Sequence, residues 1–208
     1  MTGRIMFSIL FRSITVVFLL SSASFALDHF YAGRAGFGMS GLTGSDVPTG
    51  TKRGFAGSLA AIGAESFYPS GPLWGTEISI SNFNVKHDTT VFNELTGQDD
   101  DSISYGESFG RVGLGLFLMK SWDLGVAIST GPQISYLGTC SRDIQAKSTS
   151  CLDDYKIFQF DAQVSLMVFI VEPLAIDLKY VQTLLPFDKN GEKQILHNYA
   201  SLGLFYVF

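Results

Sequence analysis

Charge is what this sequence has least of. Only 16% of its 208 residues are charged, against about a quarter in an ordinary soluble domain. Acids outnumber bases 19 to 14, so there is no cationic footprint for a nucleic acid. Six prolines beside 46% apolar residues exclude a disordered chain. Long apolar runs are missing as well. Beyond residue 26 the longest is Leu166–Val171, far short of the ~20 residues of a membrane-spanning helix. Cysteine is limited to Cys140 and Cys151, and the three histidines, His29, His87 and His197, are scattered. No cluster with metal-ligand spacing is formed, and no metal or cofactor is expected. What remains is a chain greasy enough for a membrane and without helices to enter one.

The first 26 residues differ from the rest. Arg4 and Arg12 precede an apolar stretch, Ile14 to Leu20, followed by Ser21-Ser22-Ala23-Ser24-Phe25-Ala26. A positive start, a short apolar middle and a small-x-small end predict a signal peptide over 1–26. Its removal takes two of the 14 bases and none of the 19 acids, leaving a single domain, 27–208, of 182 residues with net charge −7. Export also decides how the cysteines are read. An even count in an exported chain predicts a Cys140–Cys151 disulfide stapling one polar loop.

The mature chain has a period of two. From Trp122 to Tyr136 the even positions are Trp122, Leu124, Val126, Ile128, Thr130, Pro132, Ile134 and Tyr136, while the odd ones are small or polar. Phe158, Phe160, Ala162, Val164, Leu166 and Val168 alternate with Gln159, Asp161, Gln163 and Ser165. Leu174, Ile176, Leu178 and Tyr180 oppose Asp177 and Lys179, and Val112, Leu114, Leu116 and Leu118 oppose Glu107, Arg111, Gly113 and Gly115. Such alternation predicts strands with one apolar face. A soluble sandwich or lipocalin-like barrel would turn that face inward. Here the other face is mostly Gly, Ala and Ser, which suits a narrow packed interior, and aromatics cluster near strand ends as at a membrane interface.

Strands are expected at 29–41, 54–66, 74–86, 103–118, 122–136, 156–169, 174–184 and 197–208. A slip in the pattern near Asn82 marks a bulge. The connections alternate between long (42–53, 87–102, 137–155, 185–196) and short (Tyr68 to Pro72, Met119 to Ser121, Val171 to Pro173). Eight strands with alternating links, both ends on the short side, describe an all-β, antiparallel, up-and-down transmembrane barrel. The last strand carries apolar residues at alternate positions, Leu202, Leu204, Tyr206 and the terminal Phe208.

On these features the mature chain resembles the small Gram-negative outer-membrane β-barrels, the OmpA/OmpX-like group. That resemblance implies residence in the outer membrane among lipopolysaccharide. It also implies a terminal assembly signal at Leu202, Leu204, Tyr206 and Phe208, read by the barrel assembly machinery during insertion. No motif picks out one member.

An eight-stranded barrel is just wide enough for its lumen to be filled by side chains. The inward candidates are Arg34, Glu77, Glu107, Arg111, Asp123, Asp161, Asp177 and Lys179. Charges in a low-dielectric lumen must pair, so a plug of ion pairs is expected, with a narrow ion-conducting pore as the alternative. Glu107 and Arg111, about 13–14 Å apart along one strand, reach neighbouring strands more readily than each other. Some barrels of this size modify lipid A with a histidine near a serine. His87-Asp88-Thr89 and His197-Asn198 lack a serine two residues on, although such a site can assemble across strands. Asp99-Asp100-Asp101 lacks the interleaved ligands of a cation loop. The expected function is a structural, adhesive or surface-recognition role carried by the loops, not catalysis, with an extracellular ligand that the residues do not specify.

Overall fold

The computed structural model describes residues 29–48, 50–66, 72–93, 98–122, 125–144, 147–189 and 193–208. The expected signal peptide, Asp123 and most of the turn at 68–72 lie outside these residues. Among the described residues nine strands form: β1 (His29–Thr43), β2 (Thr51–Ser66), β3 (Leu73–Asn93), β4 (Gln98–Trp122), β5 (Val126–Ile144), β6 (Lys147–Ser150), β7 (Phe158–Val171), β8 (Leu174–Thr183) and β9 (Leu196–Val207). All pairings are antiparallel. β1 pairs with both β2 and β9, and a β4–β5 pairing closes the ring. Eight strands make the barrel; β6 is a four-residue arm on β5 beyond its wall. Closure leaves no sheet edge in the wall.

Alternation places the side chains. Val112, Leu114, Leu116 and Leu118 point out, as do Phe158, Phe160, Val164, Leu166 and Val168, while Gln159, Asp161, Gln163 and Ser165 are buried inside. This inverts the soluble pattern: an apolar wall surrounds a polar interior. On β4 the wall runs from Trp122 to Val112, which pairs with Tyr136. Ten residues at ~3.3 Å, tilted by ~40°, stand about 25 Å tall, the height of a bilayer-facing band. No helix is long and apolar enough to cross a membrane among the described residues.

One hydrogen-bonded row measures the stagger. It leaves β5 at Tyr136, passes Val112, Ile80, Leu59, Ala35, Leu204, Ile176 and Val168, and returns to β5 at Val126, ten residues from its start. Rows therefore spiral down the wall from β5 through β4, β3, β2, β1 and β9.

Several features differ from the sequence reading, among them β5, which runs to Ile144 into the expected 137–155 loop because it stays paired with β4 up to Tyr105. Trp122 ends β4 and does not begin β5, because Trp122 pairs with Val126 across the turn. The expected 87–102 loop is largely strand, since β3 and β4 stay paired out to Asn93–Gln98. The bulge lies not at Asn82 but on β2 between Arg53 and Ala56, where the side-chain oxygen of Asn84 takes the Phe55 amide at 2.6 Å. A further irregularity at Gly110/Arg111 skips Gly138 and lets both Leu137 and Cys140 face inward. Strict alternation from Tyr136 would have turned Cys140 outward. The disulfide Cys140–Cys151 forms there, inside the long-loop end.

Candidate functional site

The lumen is layered. At the short-turn end Ala32, Ile62, Phe117, Met119, Met167 and Phe205 form an apolar layer. A second layer, Phe83, Val85, Phe109, Leu137, Phe187 and Tyr199 with the disulfide, crosses the lumen at the long-loop end. Phe83 and Phe109 stack there at 4.8 Å.

Between the layers lies a polar band contributed by facing strands. Arg34 of β1 donates to Glu77 of β3 and lies 3.4 Å from Asp177 of β8. Lys179 donates to the same Glu77 at 2.5 Å, and Ser165 donates to Asp177. Two cations and two anions, all at most 7% exposed, balance. A void of about 10 Å³ beside Arg34 and Glu77 has room for about one water. Above this foursome, Arg111 donates to Gln159, lies 3.5 Å from Asp161, and meets His197 Nδ1 at 2.6 Å. Asp161 accepts from Ser135 at 2.5 Å and Thr183 at 2.8 Å. His197 stacks on Phe83 at 3.6 Å, joining the polar band to the aromatic layer.

Glu107 does not join this band. It sits five residues beyond Val112, about 13 Å above the apolar wall after tilt, and organises a rim of its own. Arg142 donates to it at 2.7 Å, Tyr155 at 2.6 Å, and His87 Nε2 lies 3.3 Å away. Arg142 also holds Asp154 at 2.8 Å, so the segment after the disulfide is tied to β4 and β5. Burial pushes the Glu107 carboxyl up, but the adjacent His87 ring and hydrogen bonds from Tyr155 and Arg142 outweigh it and hold it below the ordinary range. Burial and the Glu107 charge together push the Tyr155 phenol well up.

The sequence reading did not find the residues that complete this rim: Thr51, Tyr105, Arg142, Asp154 and Tyr155. Thr51 Oγ1 lies 2.9 Å from His87 Nδ1, whose ring stacks on Tyr105 at 4.7 Å. Thr51, His87 and Glu107 stand in sequence, but His87 Nε2 makes no hydrogen bond to the carboxylate, so the three do not form a proton relay. Thr51 also donates to the Pro48 carbonyl at 2.7 Å, and His87 is only 3% exposed. No group of His, Cys, Asp and Glu suited to a metal occurs among the described residues.

Outside the wall, the two-stranded β3–β4 ribbon continues from His87–Tyr105 to Asn93–Gln98, past the last partners of β2 and β5. At ~3.3 Å per residue it projects about 20 Å.

No family model matches the chain, and no curated protein matches it by sequence. Solved structures do. Neisserial surface protein A matches 86% of this chain and 97% of its own, at 11% identity and a TM-score of 0.56. Ail, the attachment invasion locus protein of Yersinia pestis, matches 88% of this chain and all of its own at 13% identity and 0.49. The outer membrane protein OprG of Pseudomonas aeruginosa matches 88% and 97% at 12% identity and 0.45. The fold is that of a small eight-stranded outer-membrane barrel.

Proposed function

We propose that this protein is an integral outer-membrane barrel of a Gram-negative cell whose long-loop end recognises or adheres to material outside the cell, without catalysis. The observation that carries the reading is the build of that end. A paired ribbon stands about 20 Å off the wall, beside a hairpin stapled by a disulfide and tied down through Glu107, Arg142 and Asp154. A barrel needing only to fill a membrane has no use for an ordered superstructure. Lipopolysaccharide surrounds the wall, and the barrel assembly machinery reads the outward row Leu202, Leu204, Tyr206 and Phe208, each about half exposed or more. The test replaces residues 90–102 by a two-residue Asn-Gly turn between the paired Thr89 and Ile103 and measures adherence of expressing cells to epithelial monolayers. Adherence that falls to the level of empty-vector cells supports the role, and adherence unchanged by trimming refutes it. The lumen does not conduct, because apolar layers cross it at both ends of the polar band; planar-bilayer recordings read no current.

One second reading, a lipid acyl hydrolase working at the rim, rests on the Thr51 hydroxyl against His87 Nδ1 with Glu107 nearby. Mass spectra of lipid A from cells expressing the protein, T51A and H87A separate the two. A deacylated species that vanishes in both variants replaces the recognition role.

A further inference from the structure

The β3–β4 ribbon leaves the wall at one row. Thr51, His87, Tyr105 and Ile144 pair side by side on β2, β3, β4 and β5. Beyond that row the ladders of β2 and β5 stop among the described residues, and two strands go on where four stood. Whatever fixes this row fixes the root of the ribbon above it. At its centre is His87, 3% exposed, with the Tyr105 ring stacked on it at 4.7 Å.

The neighbours of this ring settle where its hydrogen sits. A hydroxyl has one hydrogen to give, and that of Thr51 goes to the Pro48 carbonyl at 2.7 Å. Towards His87 Nδ1, 2.9 Å away, Thr51 Oγ1 therefore accepts, and Nδ1 carries the hydrogen. A neutral imidazole then has none left for Nε2. That bare nitrogen lies 3.3 Å from Glu107 Oε2, buried and without a hydrogen-bond partner among the described residues. Two electron-rich atoms face each other away from bulk water, with no hydrogen between them. His197 is the opposite case. Arg111, which only donates, meets its Nδ1 at 2.6 Å, so its hydrogen sits on Nε2.

We infer that His87 is a proton-operated lock at the root of the ribbon. A proton taken from the medium by Nε2 turns this contact into an ion pair between the imidazolium and the Glu107 carboxylate, which draws β3 and β4 together. As pH rises the proton leaves, and the root is released. The groups around the ring set the balance. Glu107 of β4 favours the proton. Arg142 of β5 opposes it, because it bonds the same carboxylate at 2.7 Å and lies over the Tyr105 ring at 5.9 Å. Asp154, 2.8 Å from Arg142, offsets that cation. Tyr155 and Thr51 bring hydrogen bonds without charge. Lys52 and Lys86 pair on the adjacent rung, and Asp88 holds Lys52 at 2.5 Å. The segment after the disulfide stays tied through Arg142 in either state of His87, so the lock acts on the ribbon alone. The inference rests on the proposed recognition role only for its use, a ribbon stiffened where the surroundings turn acid.

The test refolds the mature protein with nitrogen-15 label and reads the ring nitrogens of His87 by NMR. It also reads the protection of amides 88–90 and 102–104, relative to their intrinsic exchange rates. Both are measured at about pH 8 and about pH 5, on either side of the ordinary imidazole range. Glu107, held low, is still charged at the lower of the two. The expected result at the higher pH is a hydrogen on Nδ1 alone, opposite to His197. At the lower pH both nitrogens carry one, and protection rises at least about tenfold, the scale of a buried charge-assisted hydrogen bond. H87Q and E107Q are expected to lose that rise while the heat-dependent gel shift reports closed barrels, and T51V to lose the fixed tautomer. The wild-type readings need no variant to fold. A hydrogen on Nε2 at the higher pH, a neutral ring at the lower, or an equal rise in H87Q overturns the lock. A protein that shows the proton and the rise, on cells whose adherence ignores the ribbon, refutes the recognition role and supports the lock.

Discussion

Glu77 offers the sharpest test of how the lumen is held together. Its carboxylate takes both Arg34 and Lys179, and all three side chains are at most 5% exposed. Replacing it by glutamine keeps the shape and leaves two cations against Asp177 alone. Breaking a buried pair by removing one partner costs ~3–5 kcal/mol, so E77Q is expected to lose about 4 kcal/mol, near a thousandfold in the folding constant. At an m-value of ~2 kcal/mol/M in urea the midpoint falls by about 2 M. K179M removes one of those cations and leaves two acids facing Arg34, at a cost of about 3 kcal/mol. The double variant E77Q/K179M restores neutrality around the surviving Arg34–Asp177 contact. It is expected to recover about 2–3 kcal/mol relative to the sum of the single losses, within the range found for residues in contact. Trp74 and Trp122 stand at the short-turn end of the wall and report unfolding by their emission. Additive losses, or single losses under about 1 kcal/mol, would refute a tightly coupled lumen.

Four further outcomes are expected. At the seam between β1 and β9, a Cβ at Gly38 would sit 1.9 Å from the Ala200 carbonyl oxygen; G38V prevents closure, read as loss of the heat-dependent gel shift. Opening the disulfide in the C140S/C151S pair frees a loop of 11 residues, worth ~3 kcal/mol of loop order; trypsin then cuts at Lys147 or Lys156 while the barrel stays closed. The Glu107 carboxyl is held low in the folded state, so its contribution is fully present above the ordinary glutamate value. It is lost as pH falls through the lowered one, and the protection of amides 151–157 relative to their intrinsic exchange rate is expected to fall there and to hold above. R142A removes one donor to Glu107 and the tie to Asp154; it raises exchange in the same segment at neutral pH without moving the urea midpoint of the barrel.

Much of the wall was readable from the chain. Val112 to Leu118 and Phe158 to Val168 face outward because a strand turns alternate side chains to opposite sides, whatever its neighbours are. Composition then said which side meets lipid. Inward charges such as Asp161 and Lys179 followed from the same parity. Parity failed where the ladder slips. Gly138 drops out of register and brings Cys140 inside, and the β2 bulge lies opposite Asn84 rather than at Asn82. The long loop expected at 87–102 is the gap between two stretches of alternation, yet its residues pair with one another well beyond the wall.

By itself, then, the sequence determined that this is a barrel of eight strands, apolar outside and polar within, because period two and alternating link lengths are local properties. Which side chains meet was a matter for the tertiary structure. Arg111 finds His197 across 86 positions and Lys179 finds Glu77 across 102. Those meetings depend on barrel closure and on a stagger of ten residues accumulated strand by strand. The same stagger winds Ile80, Leu59, Ala35, Leu204 and Ile176 from five strands into one groove. No single strand carries it, because the offset exists only once the last strand has paired with the first.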